Sequence, residues 1–348
     1  MSVKLESLSK REVVFDALAA IDLLRSPRRF ETASFESYLP NPDYPSQDAA
    51  KIAAMDFAAV LGDSKPPKRV RRHGWRFVPG AKPGGRGIYF DGGFGVGKTH
   101  LLVALHRIAP KPKAFCSFID LVNFVGALGF EESLLRLGTY SLIAIDEFEL
   151  DDPGDTVLIS TLLTRLCNQG VNLAATSNTL PDKLGEGRFA AVDFVREIQG
   201  LAARFSVISI DGGDYRRLEL HLEDYDLDLS RLAISQASSR LKISYDSFDA
   251  LNAKLASLHP VMYSRLLDGI DVAIVSDATR FDALSEALRF VVLVDRAYEM
   301  GVAVLFSGAK LADLFPSAFL TGGFGRKFGR CLSRLSQLRD EALPKLHL

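Results

Sequence analysis

Eight positions from Gly92 to Thr99 carry the densest chemistry in the chain. They read Gly92-Gly93-Phe94-Gly95-Val96-Gly97-Lys98-Thr99, the G-x-x-x-x-G-K-[ST] spacing. Glycines let the backbone curl so that successive N–H groups face one anion. An amine and a hydroxyl follow at the point where a helix would start, and the positive end of that helix faces the same anion. Such a loop suits a nucleotide phosphate chain, with Lys98 on the β- and γ-phosphates and the Thr99 hydroxyl on Mg²⁺. His100 follows directly and is taken with the loop. A second cluster lies about 50 residues on, where the apolar run Ser141-Leu142-Ile143-Ala144-Ile145 ends in Asp146-Glu147. A buried parallel strand carries such acids out at its C-terminal edge, where a phosphate loop also lies. Asp146 is expected to hold Mg²⁺ and Glu147 to orient or deprotonate the attacking water. A third run, Val171 to Thr176, ends in Ser177-Asn178. Asn178 is the side chain expected to reach the γ-phosphate or the water. Arg188 and Arg204, with Arg196 behind them, are candidates for an arginine supplied to a neighbouring subunit's γ-phosphate, which would require a homo-oligomer.

The elements that must position these groups are legible from periodicity. Ile88-Tyr89-Phe90 precedes the loop as a strand, and Leu101, Leu102, Ala104 and Leu105 follow it as a helix. Further strands are expected at Ala114–Phe118, Ser141–Asp146, Val171–Thr176 and Val207–Ile210. Helical stretches are expected at Ile119–Leu137 and Thr156–Asn168. Five strands with intervening helices, and a strand between the phosphate-loop strand and the acid strand, predict a three-layer α/β/α core. It is of the additional-strand, AAA+-like P-loop NTPase type, here placed at residues 83–212. Residues 1–82 read as a helical N-terminal segment with a basic linker. In it, Val13 to Leu24 forms one helix, Ser34–Ser46 an extended arm, and Gln47–Leu61 a helix making contacts through Ile52, Met55, Phe57 and Val60. Residues 213–348 read as a C-terminal α/β accessory or lid domain, with strands at Val272–Val275 and Val302–Phe306, a helix from Asp282 to Met300 and a last helix from Arg330 to Leu338.

Composition excludes several classes. The 348 residues are 47% hydrophobic and 24% charged, as in an ordinary globular protein. A net charge of −1 gives no global pull toward nucleic acid or an anionic membrane. The basic stretch Lys65 to Arg76 could serve an acidic partner locally, but reads first as a solvated linker. Three scattered cysteines have no metal-ligand spacing, no apolar run reaches transmembrane length, and the first residues lack a secretory core, so a cytoplasmic protein is expected.

Three sets of residues taken in order resemble one family. Ile145-Asp146-Glu147-Phe148-Glu149, Ala175-Thr176-Ser177-Asn178 and Asp214-Tyr215-Arg216 are similar to the ZapE-type cell-division ATPases, bacterial relatives of a mitochondrial AAA+-like ATPase. Arg289-Phe290, Leu293-Val294-Asp295, Tyr298-Glu299, Val304–Ser307 and Ser333-Arg334-Leu335 extend the resemblance through the C-terminal part. The resemblance implies Mg²⁺-dependent ATP hydrolysis, adenine over guanine, and action on the tubulin-like division filament protein, with peripheral association at the membrane. Among the arginines, Arg188 matches the family best. The competing reading is a DNA-replication ATPase of the initiator or helicase-loader type, which shares Gly97-Lys98-Thr99-His100 and the Thr-Ser-Asn strand end. The Asp146-Glu147 pair and the missing basic helix pair argue against it, and nucleic acid is not the expected partner.

Overall fold

Ile88, Tyr89 and Phe90 have no exposed surface, as expected of a strand covered on both faces. In the computed structural model they lie in β2 (Gly87–Gly92), the second strand from one edge of a five-stranded sheet. The structure describes residues 5–14, 24–61, 84–93, 95–148, 153–178, 199–213 and 241–346. Phe94, Arg188, Arg196, the Lys65–Arg76 run, most of the expected first helix and Asp214-Tyr215-Arg216 lie outside them. The chain divides into two compact units, one of residues 20–26 and 30–217, the other of residues 1–19, 27–29 and 218–348.

In the first unit the strands after β2 are β3 (Lys113–Ser117), β4 (Leu142–Asp146), β5 (Asn172–Ser177) and β6 (Phe205–Ile210). Their order is β3-β4-β5-β2-β6, all parallel, so β5 lies between the phosphate-loop strand and the acid strand. The five strands sit within a few residues of the expected ranges. Helix α1 (Pro45–Leu61) contacts the core through Gln47, Ala50, Ala54 and Phe57. Ile52 and Met55, expected to make contacts, face outward at 50% and 48% exposure. Ala50 and Ala54 are buried on this face, which packs on α2 (Lys98–Ile108). The helical stretch expected from Ile119 to Leu137 is two helices, α3 (Phe118–Leu128) and α4 (Phe130–Leu137). Gly129 breaks it at a φ of 82°, a value glycine adopts without strain. Helix α3 starts with a reciprocal cap between Ser117 and Asp120, and α5 (Pro153–Asn168) completes the cover.

The second unit is built on another parallel sheet, ordered β1-β7-β8-β9. Its strands are β1 (Leu5–Glu6), β7 (Ile243–Ser247), β8 (Val272–Ala278) and β9 (Ala303–Gly308). Helices α6 (Phe248–Ser257) and α7 (Tyr263–Leu267) join β7 to β8, and α8 (Leu284–Met300) joins β8 to β9. Short α9 (Ser317–Thr321) and long α10 (Gly325–Lys345) end the chain. The last helix thus begins five residues earlier and runs seven longer than Arg330–Leu338. Helical periodicity gave no sign that Leu5–Glu6 is a strand. The buried Asp246 carboxylate sets its place, accepting from Ser7 Oγ at 2.7 Å, Leu8 N at 2.8 Å and Ser9 N at 2.9 Å.

Charge as well as apolar burial holds this unit. Asp295 on α8 meets Arg330 at 3.0 Å and also Arg334, both on α10. Burial opposes its ionisation, but the two guanidiniums outweigh burial and hold the carboxyl below its ordinary value. A depressed carboxyl contributes stability that is complete above about pH 4 and is lost as pH falls through the lower folded value. Asp295→Asn is expected to cost about 3–5 kcal/mol in urea unfolding at neutral pH, because it leaves two cations facing a neutral amide. Its stability should also fall less steeply below pH 4 than that of the wild type.

Candidate active site

The C-terminal tips of β2, β5 and β4 stand side by side, and each delivers one part of the site. Beyond β2 the loop turns through Gly95 at φ 74° and Gly97 at φ 90°, conformations a side chain would strain. Lys98 opens α2, and its Nζ donates to Gly92 O at 2.7 Å, Gly93 O at 2.5 Å and Asn178 Oδ1 at 2.9 Å. The ammonium therefore sits at the rim of the loop, with Asn178 from β5 beside it. Of the sequence-stated candidates, Lys98, Thr99, Asp146 and Asn178 converge here.

Thr99 Oγ1 donates to the Asp146 carboxylate, 3.0 Å from Oδ2 and 3.2 Å from Oδ1. Thr176 Oγ1 donates to Asp146 Oδ1 as well, and accepts from Glu147 N at 3.1 Å. One hydroxyl on β5 thereby ties the Asp146 carboxylate to the Glu147 backbone. Glu147 has φ 50°, rare for a residue with a side chain. In a straight strand Asp146 and Glu147 would point to opposite faces; the left-handed turn breaks that alternation. Phe148 anchors the turn. Its N–H donates to Thr176 O at 2.7 Å, and its ring meets Phe118 and Tyr89 edge-on.

Burial, and then the adjacent Glu147 charge, raise the Asp146 pKa; hydrogen bonds from Thr176, Thr99 and the Glu147 backbone work against that rise. A cation beside the carboxylate would favour its charged form. The donor set, one hydroxyl and one carboxylate, is the hard-oxygen set Mg²⁺ takes when substrate phosphates supply the rest. Among the described residues no cluster of three or more His, Cys, Asp or Glu could form an all-protein metal cage.

Two candidates are placed differently. The His100 ring turns from the loop to the N-terminal arm, with Nε2 2.9 Å from Ser34 O and 3.0 Å from Ser37 Oγ. Arg204 precedes β6 and donates to Asn168 Oδ1 at 2.5 Å, beside the N-terminal end of β2. A six-residue strand spans about 20 Å, which separates it from the phosphate loop of its own subunit. Thr176 was missed by sequence reading. A hydroxyl one residue before the end of the strand Asn172–Ser177 was the available signal. Among the described residues no helix is long and apolar enough to cross a membrane.

Compared with known proteins, residues 18–242 and 223–345 match the family described as AFG1-like ATPase. Over 307 residues the chain is 28% identical to the cell division protein ZapE of Escherichia coli K12, covering 76% of this chain and 80% of that protein. The O157:H7 strain gives the same figures. Among solved structures, DnaI is similar at 20% identity and a TM-score of 0.41, over 56% of this chain and 98% of that one. The DnaC helicase loader is similar at 20% and 0.37, over 53% and 99%. Superpositions this loose carry no argument about function.

Thr176→Val keeps the volume of this buried side chain and removes the hydroxyl that meets the Asp146 carboxylate and the Glu147 N–H. The Mg²⁺ concentration for half-maximal ATP turnover is expected to rise roughly tenfold or more, as for other outer-sphere partners of metal ligands. A Mg²⁺ titration of turnover checks this.

Proposed function

The chain belongs to the AFG1-like ATPase family, and from that premise we propose that it hydrolyses Mg²⁺-bound ATP to do work on the division filament. The observation that carries the chemistry is the convergence of Lys98, Thr99, Asp146 and Asn178 at three adjacent strand tips. The filament as target is supported by the 28% identity to cell division protein ZapE across 76% of this chain.

In this reading Lys98 holds the β- and γ-phosphates, while Thr99 and Asp146 hold the metal. Mg²⁺ held by Thr99 and Asp146 would supply positive charge that offsets that of the phosphates. Glu147 takes the proton of the attacking water, and Asn178 orients that water or the γ-phosphate. Phe94 and the glycines complete the phosphate cradle. The γ-phosphate of one subunit receives Arg188 or Arg204 from the next, which requires an oligomer. Arg204's placement away from its own loop suits a residue acting in trans. We also propose that residues 83–212 are the hydrolytic core and 213–348 the accessory part, in a cytoplasmic protein that associates peripherally with the membrane.

Glu147→Gln is expected to bind ATP and to turn over at least about 100-fold more slowly, because it removes the base but keeps the shape. Wild-type turnover in that variant would refute the assignment of the base. Turnover of the wild type should rise with division filaments, and Lys98→Ala should show no such rise. Stimulation by DNA alone, falling steeply with salt, would instead identify a replication ATPase. Mixing Lys98→Ala with Arg188→Ala or Arg204→Ala should restore part of the lost turnover for the arginine that acts across subunits.

A further inference from the structure

Tyr38 is 58 residues from Val96 in sequence, yet its hydroxyl donates to Val96 O at 3.3 Å in a buried setting. Its ring also covers Gly97: a Cβ built there would lie 2.6 Å from Tyr38 Cε2. Both contacts fall on one peptide group, Val96–Gly97. In a trans peptide the C=O and N–H point to opposite sides. A carbonyl pinned outward by Tyr38 therefore leaves the Gly97 N–H directed inward, to the side where a phosphate loop gathers its donors.

The tyrosine is itself held. Its N–H donates to Ser34 O at 3.2 Å, and its carbonyl accepts from Lys51 Nζ of α1 at 3.1 Å. The His100 ring lies 5.5 Å from the Tyr38 ring and bonds Ser34 and Ser37. The arm from Ser34 to Tyr38 is thus tied to the first turn of α2 at one end and to α1 at the other, with 6% of Tyr38 exposed.

We propose that Tyr38 is a positioning residue for nucleotide binding, acting through the Val96–Gly97 peptide to hold the Gly97 N–H toward the phosphates. This rests on the ATPase reading of the phosphate loop and adds to it a residue outside the motif. The test is Tyr38→Phe, which keeps the ring and removes the donor, with Tyr38→Ala beside it. Calorimetric titration with ADP and ATP in Mg²⁺, steady-state turnover and nucleotide-free thermal melting are measured on the full chain. Loss of one neutral hydrogen bond to the Val96 carbonyl of the loop should weaken ADP and ATP by the same factor, about three- to tenfold. KM should rise with it, while kcat at saturating ATP and the melting temperature stay near wild type. Tyr38→Ala should weaken binding further; if it does not fold, Tyr38→Phe still decides. Wild-type affinity in Tyr38→Phe overturns the proposal, as does a lowered melting temperature with unchanged affinity, which would make Tyr38 a packing residue only. A wild-type protein that binds neither nucleotide overturns the phosphate-loop reading itself, and this proposal with it.

Discussion

A carboxylate buried beside a second carboxylate keeps its charge only where donors or a cation answer it. Asp146 is in that position, with burial and then Glu147 both pressing it toward the neutral form. Two threonine hydroxyls answer in part, one from the phosphate loop and one from the intervening strand. The strand order brings those donors to the acid. With β5 between β4 and β2, Thr176 can touch the acid, Asn178 can touch Lys98, and Thr99 can reach across to Asp146. A reordered sheet with the same strands would leave the acid without those donors. A cation beside this carboxylate would favour its charged form.

The loop itself is a problem of backbone direction. Its glycines permit the required φ values, but freedom alone does not select one arrangement, and the unfolded chain loses more entropy at glycine than elsewhere. Packing supplies the selection. Val96 and Tyr38 lie in one apolar cluster with Phe35, Phe57, Phe90 and Ile210, so the arm, α1, β2 and β6 bear on the loop from outside. The site's inner face is polar and its outer face is core.

The C-terminal unit shows the same economy with different means. A cluster of phenylalanines, Phe248, Phe281, Phe290, Phe306, Phe315 and Phe328, fills one side of its sheet. Charged groups then fix helix register where apolar contact alone would allow sliding. Tyr298 on α8 lies between Arg29 and Arg334, and Arg29 pairs with Glu341 at 2.7 Å. Two short N-terminal pieces, residues 5–14 and 27–29, are held in this unit by polar contacts, and Leu8 also enters its apolar core.

Reading the chain alone determined what depends on neighbouring letters. The phosphate loop, the acid pair, the Asn178 strand tip and five strands of the core were all visible, because turn chemistry and strand burial are written in consecutive residues. The same holds for the AAA+-like α/β class, which follows from the order of those pieces. What lay beyond it depends on contacts between distant segments. Nothing near Tyr38 signals that its hydroxyl meets Val96, and nothing near Leu5 signals that it pairs with Ile243. The contact face of α1 was only partly placed for the same reason: Phe57 is core as expected, but Ile52 and Met55 are exposed and Ala50 and Ala54 are buried instead. Local propensity decides what a segment can become. Which of its faces is buried, and which hydroxyl meets a buried carboxylate, is decided only when another part of the chain arrives beside it.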